Sequence, residues 1–235
     1  SDNTLKLQIE SADGDNGFPG NVLAVTTYKI VNGNTLDITW EATTDKPTII
    51  NQTNHNYYNL SGELEQPGYD QILMVNADSF TVADDSYMPT GEVRAVEGTP
   101  MDFRQARPIK DGIGADFDQI QNANGGYDHN WCLNTYRLED AESEAAATLY
   151  SEKTGIFMEM FTNEPGVQVY TGNFQGIMGE ENVARKLGKH YPQYVSVCLE
   201  SQKYPDSPNH PEWPSPVVTP EKPYYSHAAY KFSVK

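Results

Sequence analysis

Apolar and polar residues alternate with a period of two along much of the chain, and turn-forming residues break the alternation into short runs. Residues 22–30 and 35–41 are two such runs. Between them stands Val31-Asn32-Gly33-Asn34, and Asn-Gly in that position predicts a β-hairpin. On the second arm Leu36, Ile38, Trp40 and Ala42 share one face, which is therefore predicted to be core. Further strands are predicted over 48–53 and 71–77, and a second hairpin joins 147–152 to 156–161 across Lys153-Thr154-Gly155. Strands over 166–171, 194–202 and 226–234 complete the series. Helical periodicity is scarce: 181–187 has length for about two turns, and 141–147 is Ala/Glu-rich but short and adjoins a strand. Many strands separated by turn signals predict an all-β fold, a large antiparallel β-sandwich.

The run at 194–202 carries a carboxylate. Val195, Val197 and Leu199 alternate with Tyr194, Ser196, Cys198 and Glu200, so Glu200 lies on the face opposite the aliphatic side chains. Pro205 stops the ladder because it has no N–H to donate. Two readings are open for Glu200: a group that acts on a ligand at a strand end, or a solvated carboxylate on an edge strand. The proline-dense stretch 205–223 reads as a strap around the sandwich, with His210 in a structural role. Residues 11–17 imitate the start of a calcium loop but lack the glutamate expected at its twelfth position, which favours a plain turn.

Composition narrows the partners. The 235 residues carry a formal charge of −17, which disfavours nucleic acid, anionic membranes and phosphorylated substrates and leaves neutral ligands. No apolar run approaches the roughly 20 residues of a membrane-spanning helix. Cys132 and Cys198, the two cysteines, sit in strand-like apolar segments and read as buried free thiols. The opening Ser1-Asp2-Asn3-Thr4-Leu5 has no signal-peptide pattern and no initiator Met, so the chain is expected to begin at a cut.

Three segments concentrate chemistry. Thr53-Asn54-His55-Asn56-Tyr57-Tyr58-Asn59-Leu60 packs amides, an imidazole and phenols together, which suits a sugar: hydroxyls need paired donors and acceptors, and the C–H face stacks on rings. Within it His55 is the candidate acid or base, since an unperturbed imidazole titrates near ~6.5. Gly125-Gly126-Tyr127-Asp128-His129-Asn130-Trp131 repeats the theme, with Asp128 placed either to hold two neighbouring hydroxyls or to form an Asx turn. Residues 162–173 offer Gln168 and Tyr170 on one strand face.

Taken in order, 53–60, 126–133, 162–174 and 198–216 resemble the aldose 1-epimerases (galactose mutarotases), as do the opening 13–20 and the final 220–232. The resemblance covers essentially the whole chain. It implies the galactose mutarotase-like supersandwich, one domain over 1–235, and interconversion of the α and β anomers of a free aldohexose without cofactor or metal. Carried over by position, it implies that His55 protonates the ring oxygen and that Glu200 takes the proton of the C1 hydroxyl. Asp128 and Gln168 then bind sugar hydroxyls, with Asn54 and Tyr57 beside them.

One part of the family pattern has no counterpart here: an N-terminal Gly-Arg…Asn-Arg segment with a substrate-binding arginine, and a second active-site histidine. The chain is expected to correspond to the C-terminal two-thirds of the family fold, with N-terminal strands missing and that segment a possible separate partner. The departure motivates an alternative function, a non-catalytic carbohydrate-binding module. A third reading changes the substrate to a hexose phosphate or an oligosaccharide end; a phosphate needs cations at the cleft, and the cluster Arg185, Lys186 and Lys189 reads instead as a solvated helix face. Family members are commonly cytoplasmic, with a periplasmic or secreted form as the alternative.

Overall fold

The structure, a computed structural model, describes residues 3–137, 139–177 and 184–235. Among these the strands are β1 (Thr4–Ser11), β2 (Val22–Val31), β3 (Thr35–Thr44), β4 (Thr48–Ile49), β5 (Ile72–Val75), β6 (Ala77–Ala83), β7 (Pro89–Ala95) and β8 (Arg107–Pro108), followed after the short helix α1 (Asp118–Asn122) by β9 (Asp128–Leu133), β10 (Ala147–Tyr150), β11 (Ile156–Thr162), β12 (Gly166–Tyr170), β13 (Cys198–Gln202), β14 (Val217–Val218) and β15 (Tyr224–Val234). Eight form one antiparallel sheet in the order β1-β2-β3-β15-β11-β10-β5-β8, five form a second in the order β13-β12-β9-β6-β7, and β14 pairs with β4.

The inner faces of the two large sheets make the core, as alternation dictates. Ile38 and Trp40 of β3, Ala228 and Tyr230 of β15, Met158 and Met160 of β11 and Leu149 of β10 meet Leu199, Val169, Val167, Trp131 and Phe80 from the smaller sheet, all buried. Each large side chain removed from water contributes about 1.5–3 kcal/mol. A polar tie also crosses the core: the fully buried Tyr230 hydroxyl donates to the Leu199 carbonyl at 2.7 Å, pinning β13 to the large sheet one residue before Glu200.

Several predicted runs change length for identifiable reasons. The run at 194–202 becomes a strand only from Cys198, because Tyr194 takes a left-handed φ of 60° and the Val195 and Val197 backbone is engaged elsewhere, by Asn59 and Tyr58. The run at 48–53 pairs as a strand only at Thr48–Ile49; beyond it the Asn51 side chain bonds the Lys203 N–H and carbonyl, a side chain doing the work of a ladder. The run at 71–77 splits at Asn76, where the chain crosses from β5 in the large sheet to β6 in the small one. Strands β1, β7, β8, β9 and β14, and all of β6 after Ala77, lie beyond those the pattern predicts. Residues 141–146 form no helix, and Ala147 opens β10. Of the helix expected over 181–187, residues 181–183 lie outside the described residues, and Lys186–Gly188 is a single 3-10 turn with Leu187 left-handed.

Both cysteines are free and buried. Asp13, in the calcium-like stretch, accepts from the Gly20 N–H and pairs with Lys46, so a lysine stands where a cation would. No helix among the described residues is long and apolar enough to cross a membrane. At the β1 edge, Leu5, Leu7 and Ile9 pair with Tyr28, Thr26 and Ala24, which pair in turn with Ile38, Trp40 and Ala42. Those three β1 residues therefore lie on the core-facing side of the sheet, yet each is half or more exposed.

Candidate active site

Register decides which side chains meet. In the small sheet Glu200 of β13 pairs with Gln168 of β12, which pairs with Asn130 of β9; one pair along, Cys198, Tyr170 and Asp128 form the neighbouring row. Because strand residues two apart share a face, these six side chains project to one side, while Leu199, Val169 and His129 project into the core. The polar face is wired together. Gln168 Nε2 donates to Asp128 Oδ1 at 2.7 Å, and Gln202 Nε2 donates to Gln168 Oε1 at 2.9 Å and to Asn130 Oδ1 at 3.2 Å. Gly166 makes this crossing possible: a Cβ there would stand 2.2 Å from Asn130 Oδ1.

The segment 53–60 closes over that face. It is stitched to the start of β13 by Tyr58 and Val197, which exchange two N–H···O bonds of 2.8 Å, and by Asn59 Nδ2, which donates to the Val195 carbonyl. Tyr58 turns inward onto Tyr230 and Phe232. Its neighbour Tyr57 turns outward and, with His55 and Tyr170, makes an aromatic wall with ring centroids 5.0–6.2 Å apart. Asn54 is buried and accepts from the Asn56 N–H, so it shapes the loop that carries His55.

His55 is thereby brought to Glu200, its Nε2 lying 3.3 Å from Oε1. The His55 side chain is 50% exposed, whereas Glu200 is 7% exposed. The solvated-edge reading of Glu200 is thus corrected: β13 is an edge strand, but the His55 loop covers it. Oε1 sits in ion-pair range of His55 yet accepts no hydrogen bond. Burial, with the nearby Asp128 charge, pushes the Glu200 carboxyl up to about 8. Burial also raises Asp128, against the Gln168 hydrogen bond and the His55 charge. The Cys198 thiol is raised by burial and by the same two carboxylates. His129, on the core side, is lowered to about 4 by burial and packs between Phe80 and Trp131.

Beside this wall lies a cleft of about 400 Å³ lined by Tyr57, Gln175, Arg185 and Tyr191, a volume in the range of small-molecule sites. Arg185 is exposed, as a solvated reading requires, but it stands before the single 3-10 turn Lys186–Gly188 rather than on a two-turn helix; Lys189 pairs with Glu65. A hollow of about 550 Å³ at residues 61–71 and 151–153 contains neither histidine nor cysteine. The proline-rich strap is anchored next to the site by the buried Glu164–Lys203 pair, by Tyr204 against Trp213, and by His210 stacked on Trp213 at 4.1 Å.

Of the six candidates, His55, Glu200, Asp128 and Gln168 meet in one place and Tyr57 stands in the wall beside them, whereas Asn54 is turned to its own loop. Asn130 and Gln202 complete the network without having been singled out, although each stands two residues from a candidate on the same strand, and that spacing was the available signal. Gln175 and Arg185 had no such signal, since each comes to the cleft only in three dimensions.

A profile described as aldose 1-epimerase matches residues 1–231. The chain is 34% identical over 232 residues to galactose mutarotase from Rattus norvegicus and 35% identical over 234 residues to aldose 1-epimerase from Escherichia coli, covering 99% of this chain in each case. It spans 64% of the length of either relative. Among solved structures, an aldose epimerase homologue from C. elegans superposes with a TM-score of 0.83 at 26% identity, covering 100% of this chain and 66% of that one. Galactose 1-epimerase from Lactobacillus acidophilus superposes with a TM-score of 0.80 at 29% identity, covering 98% and 63%. The all-β fold is thus the galactose mutarotase-like one.

Proposed function

The chain belongs to the aldose 1-epimerase family, and on that premise we propose that this protein interconverts the α and β anomers of a free aldohexose, with Glu200 as base and His55 as acid. The observation that carries the reading is the buried Glu200 Oε1, free of hydrogen bonds, 3.3 Å from a half-exposed imidazole. The two oxygens to be handled, O1 and O5, are both bonded to C1, so acid and base must stand this close.

Glu200 accepts the O1 proton as His55 gives its proton to O5 and the C1–O5 bond breaks, leaving the open-chain aldehyde. Rotation about C1–C2 presents the other carbonyl face. O5 then attacks C1, returning its proton to His55 while O1 recovers one from Glu200, and both groups end as they began. A carboxyl held up at about 8 is a strong enough base to take a hydroxyl proton. A sugar hydroxyl donating to the unpartnered Oε1 favours the ionised form, so substrate itself prepares the base. Asp128 and Gln168, already tied together, present acceptor and donor to neighbouring hydroxyls, and the His55–Tyr57–Tyr170 wall takes the C–H face.

The apolar strip of Leu5, Leu7 and Ile9 supports a second part of the proposal: in the working protein, further chain corresponding to the unmatched length of the relatives covers it and completes one sandwich domain.

Polarimetry of freshly dissolved α-D-galactose and α-D-glucose tests the reaction. Mutarotation above the solvent rate is expected, falling by roughly 10²–10⁴-fold in Glu200→Gln. Undiminished rates in that variant would remove Glu200 from the role.

A further inference from the structure

The polar face beside the cleft also assembles a donor set that sugar chemistry does not call for. His55 Nε2, Cys198 Sγ and a Glu200 oxygen lie within 4.8 Å of one another, the group so disposed among the described residues. Cys198 precedes Glu200 by two residues in β13, so both side chains leave the same face of one strand, and the stitched loop holds His55 over them. Cys198 has no part in ring opening. Both Cys198 and Glu200 are buried, and Glu200 Oε1 points into this space with no hydrogen-bond donor.

We propose that these three side chains bind one thiophilic divalent cation, Zn²⁺ in particular, and that the bound ion blocks the cleft to sugar. Nitrogen, sulfur and oxygen in one trio suit zinc, which bonds them at about 2.0–2.3 Å and leaves a fourth position for water. Magnesium and calcium, which take oxygen ligands, are excluded by the same set. His55 and Glu200 already stand 3.3 Å apart, close to the ligand spacing of a tetrahedral ion. Small rotations of the half-exposed imidazole and the thiol bring in the third donor. On binding, the Cys198 S–H bond breaks, its proton goes to solvent, and the Zn–S bond forms; the 2+ charge is then balanced by thiolate and carboxylate. The ion occupies both groups that the proposed reaction uses, so inhibition rests on that reaction, whereas binding does not.

The test is titration of the protein with Zn²⁺ against a chromophoric chelator, and with Co²⁺ while following the thiolate-to-cobalt charge-transfer band in the near ultraviolet. One equivalent is expected, with the cobalt band present. Affinity should fall by at least roughly tenfold in Cys198→Ala and in His55→Ala, since even outer-shell changes at metal sites cost that much. The band should vanish in Cys198→Ala, with near-UV circular dichroism confirming that each variant is folded. Unchanged affinity in both variants, or cobalt binding without the band, overturns the site and leaves the mutarotation proposal standing. Zinc binding with these signatures in a protein that shows no mutarotation supports the site and removes the reaction.

Discussion

His55 and His227 each face carboxylates, but the group whose proton affinity is raised is the carboxyl in one grouping and the imidazole in the other. His227, on β15, has its Nε2 3.0 Å from Asp37 and its Nδ1 2.5 Å from Glu142, and its side chain is 16% exposed. With an acceptor on each ring nitrogen the imidazolium is favoured, first by Glu142 and then by Asp37, and His227 is pushed up to about 9. Beside His55 the buried member is the carboxyl group. Glu200 meets one imidazole nitrogen at 3.3 Å and accepts no hydrogen bond at Oε1, so desolvation wins and the carboxyl keeps its proton up to about 8. The same residue types yield an ion pair where hydrogen bonds satisfy the charged form, and a carboxyl that holds its proton more tightly where burial leaves the charge unsatisfied.

The sharpest way to break this comparison is to neutralise the two groupings separately. Glu200→Gln should lose roughly 10²–10⁴-fold in mutarotation rate by polarimetry. His227→Gln should leave that rate unchanged and lose on the order of 2 kcal/mol of stability in urea titrations near pH 6, less than the full pKa shift because both carboxylates remain partly solvated. The reverse pattern, with His227 controlling rate, would dissolve the distinction.

pH dependence sharpens it next. A histidine raised to about 9 from its ordinary 6.5 contributes stability that is complete below pH 6.5 and gone above 9, so stability should fall across that window and His227→Gln should flatten the fall. Glu200 also binds its proton more tightly when folded, so its contribution declines as pH rises from the ordinary carboxylate value through about 8, and Glu200→Gln should flatten that earlier limb. Urea midpoints measured from pH 4 to 10 on the three proteins separate the two windows.

Smaller effects follow at the neighbours. Asp128→Asn removes the like charge beside Glu200, and the rising limb of kcat/KM against pH should move to lower pH, by less than about one unit because burial is the larger cause. An unmoved limb would mean that the limb does not report Glu200. Glu142→Gln should cost the least, about 1 kcal/mol or less, because Asp37 still holds the other ring nitrogen.

The residues of the cleft were legible to the extent that their chemistry is local. Segment 53–60 advertises itself by crowding amides, phenols and an imidazole, and Glu200 by standing among aliphatics on the alternate face. Within 53–60 the resemblance points to Tyr57 and Asn54, but side-chain chemistry alone does not separate Tyr57 from Tyr58, or Asn54 from its neighbours. The pairing with Val197 sends Tyr58 into the core and Tyr57 to the cleft, and Asn54 turns back on the Asn56 N–H. Asn130 and Gln202 enter the network only through the register of β9, β12 and β13.

The sequence by itself determined the all-β class, the two hairpins and the core face of β3, because period-two alternation and turn residues are properties of short stretches, and the order of its motifs, through the family resemblance, singled out His55, Glu200, Asp128 and Gln168. Tertiary structure alone decided that an edge-strand carboxylate is buried, that it lies beside an imidazole from a loop 145 positions earlier in the chain, and that a cysteine shares their space. Burial and proximity depend on which distant segments pack together, and it is these two quantities that set a carboxyl's proton affinity.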